Sequence, residues 1–508
     1  MADGQLDRPA DPQGSPAGAV PDGLAGWLRA GAVAWVLLLV VVYLQLKVPA
    51  QDDPDVWWHL RTGQLIAEER AIPRADPFSF TKPGEPWVAH EWLSELILHG
   101  LDRAGGVGLV LLARSLCIGI GVALAWLHAA RLVSPRGALL AALVAFAGSH
   151  SNWSARPHIF SWVLIGVTLT VLERWRRERG GRGPWLLPPL VLVWANLHGA
   201  FAVGLGLIGL YALGSWLPAR DAPPARERWR LLGVLALGFA AACVNPIGPE
   251  LLLYPLRYVT VDNTFIAEWQ PTSARHTPVL VPLLLLLVGS LGLSRAPTPG
   301  AALFAVLVLL ALSLKAVRHI QFLGLLLAYL LPEQMSSAAA SIDAAIARWR
   351  GDPADEPPDP PAPGRDSLRA SALPLLLLLL AGAASLLRPP EATVQFAPAA
   401  AVDALERADP DGRVFNEYGW GGYLIWRWHP RRKVFVDGRE DMYGVPFCLE
   451  EYEATREARE GSLDRLERWR ITSVLLPPGA PLLALLRARP DWREVHQDPH
   501  AVVMVRRP

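Results

Sequence analysis

The stretch QDDPDVWWHLRTGQLI, residues 51–66, combines acidic, aromatic and imidazole side chains directly after a long apolar run. Carboxylates act as general bases, and carboxylates together with imidazole bind divalent metal ions. Ionisable groups at a membrane edge are costly to desolvate unless they pair or bind a ligand, so this stretch is a candidate site. Its chemically active residues are Asp52, Asp53, Asp55, Trp57, Trp58 and His59.

The composition indicates that membrane helices must position these residues. The chain has 508 residues, of which 52% are hydrophobic and 19% charged, so it is too apolar and too long for one ordinary soluble domain. A net charge of +1 without a basic face excludes a nucleic-acid partner. Its three cysteines, Cys117, Cys243 and Cys448, are too far apart to suggest a disulfide framework or a zinc site.

Eleven apolar runs are candidates for membrane spans, because a transmembrane helix needs about 20 apolar residues. Arginines cluster in every second loop between these runs, as in 174–182 and 220–230. Cytoplasmic loops carry the excess of Lys and Arg, so the amino terminus is predicted to be cytoplasmic and the chain after Leu387 to lie outside. The runs lie near residues 27–48, 107–130, 137–153, 158–173, 184–197, 199–217, 231–247, 278–294, 299–315, 318–333 and 371–387.

The predicted fold is an all-α polytopic membrane bundle of about 11 transmembrane helices with a long first external loop and a small C-terminal α/β domain. In the C-terminal part, AAAVDALERA, GGYLIWRW and PLLALLRAR predict helices, and GRVFNEY, RKVFVDGR, ITSVLLP and HAVVMVRR predict strands. The predicted divisions are a disordered cytoplasmic tail at 1–25, a transmembrane domain at 26–390, the first external loop at 49–106, a cytoplasmic Pro-rich linker at 351–368 and an extracytoplasmic domain at 391–508.

This topology places most of the histidines on the outer side, whereas His128 lies at an inner helix end. The first loop contains HEWLSELILHGLDRAGG, whose Trp92 and Leu96 share one helical face and whose Glu95 lies on another, as in an interfacial amphipathic helix. The outer histidines are His59, His90, His99, His150, His158, His198, His276 and His319.

The first loop, the topology and the C-terminal domain together resemble the GT-C class of membrane glycosyltransferases, which use polyprenyl-phosphate-linked sugars as donors. In that class the carboxylate after the first span is a catalytic base or a metal ligand, and Asp53 and Asp55 occupy that place here. DPDVWWHLRTGQLI also resembles the first-loop motif of oligosaccharyltransferase catalytic subunits. FNEYGWGGYLI is similar to their external WWDYG motif, with Glu417 and Tyr418 at its "DY", and TFIAEWQ, with Glu268, resembles their loop glutamate motif.

The resemblance implies a role for each group. Asp53 or Asp55 would be the base, and the other would hold a divalent metal ion with His59 or Glu91. The cations facing a lipid-linked phosphate would be Arg156, Arg318 and His319. Further substrate-binding candidates are His90, His198, Glu268, Glu417 and Tyr418, and also Trp57 and Trp58, which either stack on a sugar or anchor the loop among headgroups. The implied partners are a polyprenyl-phosphate-linked sugar, membrane lipid and an acceptor that the sequence does not identify.

A polar cluster in the C-terminal domain is expected to face the membrane and cover the path of the acceptor. It follows two strand-like runs, and loops at strand ends are common binding sites. The cluster comprises Asn416, Glu417, Tyr418, Asp437, Arg439 and Asp441.

Two other classes of function remain open at this point. In a transporter or flippase for a lipid or sugar, polar residues would line a path across the whole bilayer, whereas here they crowd the outer edge. In a non-catalytic envelope assembly protein the C-terminal domain would bind partners, and the glycines of GWGGY and FVDGRED would only form turns.

Overall fold

The computed structural model of the chain is mostly helical, with a small C-terminal sheet. It describes residues 32–47, 54–149, 153–217, 222–254, 267–275, 277–350, 374, 376–380, 382–384 and 398–507. The predicted tail at 1–25 and linker at 351–368 lie outside these residues, as do Asp52, Asp53, His150 and His276.

Twelve α-helices with described bounds precede the C-terminal domain, and most are runs of Leu, Val and Ala; residues 376–380 and 382–384 are helical as well. In the order of the chain they are α1 (Ala32–Lys47), α2 (Val56–Glu69), α3 (Trp92–Ala129), α4 (Pro135–Ser149), α5 (Ile159–Arg177), α6 (Leu187–Leu197), α7 (Phe201–Gly214), α8 (Ala225–Ala242), α9 (Leu280–Leu293), α10 (Gly300–Lys315), α11 (Ile320–Leu330) and α12 (Pro332–Arg350).

Helix α3 is the one described helix that is long and apolar enough to cross a membrane by itself. Its backbone leaves helical geometry at Gly105 and Gly106, so the predicted amphipathic helix of the first loop is joined there to the predicted span at 107–130. Other apolar helices, among them α1, α4, α7, α9 and α10, are shorter. The count of eleven spans therefore stays a prediction.

Small residues let the helices of the bundle pack closely. Helices α4 and α11 cross where Gly148 meets Gly324, and a Cβ on Gly148 would lie 2.6 Å from the Gly324 Cα. Close backbone approach of this kind is the usual way in which helices associate within lipid. The resulting core is continuous from Leu44 of α1 to Met335 of α12.

The C-terminal domain has a four-stranded sheet in the order β1-β2-β4-β3, in which β1 and β2 are parallel and the other pairs antiparallel. Its elements are α13 (Ala399–Ala408), β1 (Arg413–Asn416), α14 (Gly421–Trp428), α15 (Glu440–Tyr443), a π-helix (Phe447–Glu453), α16 (Ala454–Arg456), α17 (Ser462–Arg468), β2 (Ile471–Leu476), α18 (Pro481–Arg487), β3 (Trp492–Gln497) and β4 (Val502–Arg506).

The prediction of a strand at RKVFVDGR is wrong. Val434 instead pairs with the first loop, where its amide donates to the carbonyl of Phe78 and its carbonyl accepts from the amide of Phe80. The β-branched residues of this segment are buried against that loop, so a strand-like pattern produced an extended inter-domain contact outside the sheet.

The first loop and the C-terminal domain share one hydrophobic core, which includes Trp57 and Phe78 from the loop and Leu424 and Phe435 from the domain. Helix α2 packs on α14, and Gly422 permits this because a Cβ there would collide with the carbonyl of Pro54. The C-terminal domain is thereby fixed against the start of α2.

Candidate functional site

A cavity of about 580 Å³ lies between the first loop, helix ends of the bundle and the C-terminal domain. Its polar wall combines side chains that are more than 300 residues apart in the sequence. They are Asp55, His59, His90, Glu91, Arg156, His158, His198, Tyr254, Glu268, Lys315, Arg318, His319, Arg439, Glu440 and Asp441.

A chain of ion pairs crosses this wall. An Asp55 carboxylate oxygen lies 3.0 Å from Nη1 of Arg156, whose Nη2 is 3.9 Å from the Glu268 carboxylate. Nη1 of Arg318 lies 3.5 Å from the other oxygen of Glu268. Burial alone would raise the pKa of Glu268, but Arg318 and Arg156 outweigh that effect and hold the pKa below its usual value. The two arginines are thus balanced by two carboxylates.

The loops that carry these groups fix their positions. Asp55 directly precedes α2, and Arg156 lies in the turn that leads into α5. Arg318 lies in the short helical turn Val317–His319 between α10 and α11, and its guanidinium stacks 4.3 Å from the ring centre of Trp269. A stacked guanidinium keeps its N–H edge free to bind oxyanions.

Three imidazoles surround the Glu91 carboxylate. Nε2 of His198, His90 and His59 lies 3.5, 3.7 and 3.9 Å from it, respectively. Nδ1 of His59 contacts Glu95 at 3.2 Å, and Nδ1 of His198 contacts the Ser161 hydroxyl at 2.8 Å.

Burial sets the charge of these groups. It lowers the pKa of His59 and His198 well below the usual value, and it raises the pKa of Glu91. Neutral histidines beside Glu91 suit hydrogen bonding to the hydroxyls of a ligand better than binding of a phosphate.

The amphipathic helix at the start of α3 is oriented by this cluster. Its polar edge is the buried one, since Glu95 is 1% exposed and faces His59, whereas Ile97 on the apolar side is exposed. The start of α3 therefore has the predicted polar face and apolar face.

Two of the three expected metal ligands, Asp55 and His59, lie within the described chain, and Asp53 does not. No group of three or more His, Cys, Asp or Glu side chains there has an arrangement that could hold a metal ion. Asp55 instead pairs with Arg156, and His59 contacts Glu95 and Glu91. Asp53 lies outside the described residues, so its participation with Asp55 and His59 stays a prediction.

The C-terminal domain closes the cavity with residues 437–441, which we call the roof loop. Asp437 and Arg439 form a buried ion pair at 2.7 Å, and Arg439 also lies 2.9 Å from Asp76 of the first loop. Gly438 packs against the Asp55 carboxylate, where a Cβ would collide with it. Glu440 and Asp441 line the cavity.

Other members of the predicted polar cluster lie elsewhere. The Asn416 side chain is buried and bonds to the backbone of Phe435 and Val436. Glu417 pairs with Arg456 at 3.0 Å, and the amide of Tyr418 donates to the Tyr452 hydroxyl. Within the described chain, Glu417 and Tyr418 are not among the residues that line the cavity.

The two tryptophans of the first loop have different surroundings. Trp57 is buried against Tyr423 and Trp426 of α14, with ring centres 5.7 and 4.9 Å away, so it joins the loop to the C-terminal domain. Trp58 lines the cavity beside His59, whose ring centre is 3.6 Å away.

An apolar wall continues the cavity between α7 and α10, which pack together. Leu210 lies nine residues beyond the first residue of α7, which corresponds to about 14 Å along the helix. This wall is lined by Ala202, Val203, Gly206, Leu207 and Leu210 of α7, by Val308, Leu309 and Leu312 of α10, and by Phe322 of α11.

Sequence reasoning missed several lining residues. Tyr254 reaches the cavity through a hydrogen bond from its hydroxyl to Asp441 at 2.7 Å, and Trp269 through its stacking on Arg318. Glu440 lies between Arg439 and Asp441 in the FVDGRED segment but was not among the predicted site residues. The run of acidic residues after a buried Asp-Gly-Arg was the signal that could have identified it.

No protein-family model matches the chain, and a search of curated proteins found no match. Two kinds of solved structure share the fold. The apo crystal structure of the Archaeoglobus fulgidus oligosaccharyltransferase aligns with a TM-score of 0.51 and 13% identity over 89% of this chain and 70% of that chain. The same protein tethered to an acceptor peptide containing the NVT sequon gives a TM-score of 0.52 at 13% identity.

The second kind is apo ArnT from Cupriavidus metallidurans, which aligns with a TM-score of 0.51 and 16% identity over 94% of this chain and 98% of that chain. Both proteins are GT-C glycosyltransferases. The fold is therefore the GT-C glycosyltransferase fold, and the resemblance predicted from the sequence is confirmed at that level.

Proposed function

We propose that this protein is a membrane glycosyltransferase that transfers a sugar from a polyprenyl-phosphate-linked donor to an acceptor on the outer face of the cytoplasmic membrane. One observation carries the proposal: a single cavity joins arginine side chains to a wholly apolar wall between two helices. A lipid-linked phosphosugar needs both environments at once, because its phosphate is anionic and its chain is apolar.

The donor phosphate is proposed to bind at Arg156 and Arg318. Both guanidiniums reach the cavity, and Arg can bind a phosphate with two parallel hydrogen bonds. Lys315 and His319 lie on the same side, at the end of α10 and the start of α11. Because each arginine is balanced by a carboxylate before the donor arrives, the site does not hold an uncompensated positive charge.

The lipid chain is proposed to follow the apolar wall of α7 and α10. Leu207 of α7 and Leu309 of α10 line this wall, and its length of about 14 Å along α7 accommodates several isoprene units. The phosphate would then lie at headgroup depth, on the side of the cavity that Asp55 lines.

Asp53 and Asp55 are the proposed catalytic carboxylates. Asp55 holds Arg156 in place from one side, and a fixed negative charge stabilises positive charge that develops on the reacting sugar carbon. His59, His90, Glu91 and His198 are proposed to bind sugar hydroxyls, with Trp58 beside them.

Glu417 and Tyr418 were expected to bind substrate. Their pairing with Arg456 and Tyr452 favours a supporting role instead, in which they hold the short helical turn at Tyr418–Trp420 in front of α14. Glu268 remains a residue of the proposed site, where it pairs with Arg318.

The proposal requires the C-terminal domain to be extracytoplasmic. The alternation of Arg-rich loops predicts this placement, with the amino terminus in the cytoplasm. A reporter that is active only in the cytoplasm, fused after Pro508, should therefore be inactive, whereas a fusion at Arg179 in a predicted cytoplasmic loop should be active. Activity of the Pro508 fusion would reverse the topology and remove the outer-face acceptor from the proposal.

A purified-protein assay tests the function itself. The protein in lipid nanodiscs should release free polyprenyl phosphate from at least one of a panel of radiolabelled polyprenyl-phosphate sugars when an envelope extract supplies acceptors. Movement of intact labelled lipid across a liposome bilayer without such release would instead identify a flippase. The absence of both, with partners captured by the C-terminal domain, would favour an assembly protein.

A further inference from the structure

Glu440 differs from the other carboxylates of the cavity wall. It is 5% exposed and lines the cavity, yet within the described chain its carboxylate has no hydrogen bond or ion pair. Asp55 is paired with Arg156 and Glu268 with Arg318, and Asp441 accepts a hydrogen bond from Tyr254. A buried carboxylate is normally paired, so a carboxylate without a protein partner that faces a cavity points to a ligand group there.

The roof loop holds Glu440 in this position. Arg439 is almost fully buried, stacks 4.7 Å from the ring centre of Trp87, and bonds to Asp437 on one side and Asp76 on the other. Gly438 has no side chain, which lets the loop approach the Asp55 carboxylate. Glu440, the residue after Arg439, is therefore held in the wall of the cavity that Asp55 also lines.

The surroundings of Glu440 make it more basic than an ordinary glutamate. Burial raises the pKa of its carboxyl to about 7, with a further contribution from Asp441. The Asp55 carboxylate differs from that of Glu440 in having a guanidinium nitrogen 3.0 Å away. A general base is most effective when its pKa lies near the working pH.

We propose that Glu440 is the general base that takes the proton from the hydroxyl group of the acceptor. This inference rests on the proposed glycosyl transfer. It assigns to the roof loop the role that the sequence alone suggested for Asp53 or Asp55, and it leaves Asp55 to hold Arg156 and to face the reacting sugar carbon.

The step is balanced without a further reactant. The acceptor hydroxyl gives its proton to a Glu440 carboxylate oxygen, and the oxygen of the acceptor forms a bond to the anomeric carbon. The bond between that carbon and the phosphate oxygen breaks, and its electron pair leaves with polyprenyl phosphate. Arg156 and Arg318 stabilise the charge on this leaving group. The Glu440 proton then passes to solvent.

The inference also predicts from which side the acceptor enters. The arginines lie on loops of the membrane domain, whereas Glu440 belongs to the C-terminal domain. The acceptor therefore binds under the roof loop and the donor along the helices, and the sugar carbon lies between them.

Replacing Glu440 by Gln tests the assignment, because Gln keeps the size of the side chain and cannot take a proton. In the polyprenyl phosphate release assay, E440Q should lower kcat by at least about a hundredfold with the donor KM unchanged. The wild-type kcat should rise with pH through about 7, since a base works only when deprotonated, and E440Q should lose this acidic limb. E440D still carries a carboxylate, so its kcat should be lower but should keep the acidic limb of the pH profile.

The matched control is E450Q, which makes the same change at an exposed glutamate of the same domain and should leave kcat and the pH profile unchanged. A wild-type kcat profile that is flat between about pH 6 and 8, or an E440Q protein with wild-type kcat, would overturn the assignment while the glycosyl transfer itself stood. An absence of transfer by the wild-type protein would overturn the proposed function and this inference together.

Discussion

Replacement of Asp55 by Asn should lower the rate of sugar transfer by at least about a hundredfold, a loss typical of removing one fixed electrostatic contact at a reacting centre. Asn keeps the shape of the side chain but removes the charge that holds Arg156 at 3.0 Å and that we propose faces the sugar carbon. The measurement is release of labelled polyprenyl phosphate at saturating donor, together with donor affinity from equilibrium binding. Donor binding should persist, since Arg318 is still held by Glu268.

Two companion variants distinguish a loss of catalysis at the site from a general effect of replacing an aspartate. D464N makes the same change at an exposed aspartate of the C-terminal domain and should transfer sugar at the wild-type rate. D53N tests the neighbouring carboxylate, which precedes the described part of the first loop. If D53N and D55N, singly and together, transfer sugar at the wild-type rate, the carboxylates after the first helix have no part in catalysis, and the glycosyltransferase proposal loses its central support.

Replacement of Arg439 by Met should destabilise the protein by about 3–5 kcal/mol, because it leaves two buried carboxylates without their cation. Arg439 is 1% exposed and binds Asp437 and Asp76 at 2.7 and 2.9 Å, so it joins the roof loop to the first loop. The expected result is a lower unfolding midpoint and earlier proteolytic release of the C-terminal domain, measured on protein in nanodiscs.

Two further variants show whether the stability comes from this ion pair or from apolar packing of the loop. R493M replaces an exposed arginine of the same domain and should change stability by less than about 0.5 kcal/mol. The triple variant R439M/D437N/D76N removes both buried charges along with their partner, and it should recover part of the lost stability. An R439M protein with the wild-type midpoint would show that the loop is held by its apolar contacts alone.

Local patterns in the sequence were enough to predict many of the elements. The helices at AAAVDALERA, GGYLIWRW and PLLALLRAR are present as α13, α14 and α18, and the strands at ITSVLLP and HAVVMVRR as β2 and β4. In each of these segments the apolar residues follow the pattern of the element that forms, and this pattern depends only on residues close together in the sequence. The amphipathic start of α3 was predictable for the same reason, as was its junction with the next apolar run at Gly105 and Gly106.

The candidate site was predictable only in part. The sequence identified residue types that are costly to place at a membrane edge, and this selected Asp55, Arg156 and Arg318 before any contact between them was known. It could not predict that Asp55 pairs with Arg156, that three histidines surround Glu91, or that Glu417 turns to Arg456. Pairing depends on distance in space, and these partners are separated by up to about a hundred residues in the chain.

The sequence by itself determined which ionisable groups lie between and after the apolar runs: acidic residues after the first helix, arginines and histidines at the helix ends, and a charged C-terminal domain. What only the tertiary structure decided is which of these groups share a cavity and in which charge state. RKVFVDGR has the pattern of a strand, but packing of Val434 on the first loop converts it into a contact that delivers Glu440 to the cavity. The physical reason is that burial and pairing arise from long-range contacts, which change the basicity of a carboxylate without any change in its local sequence.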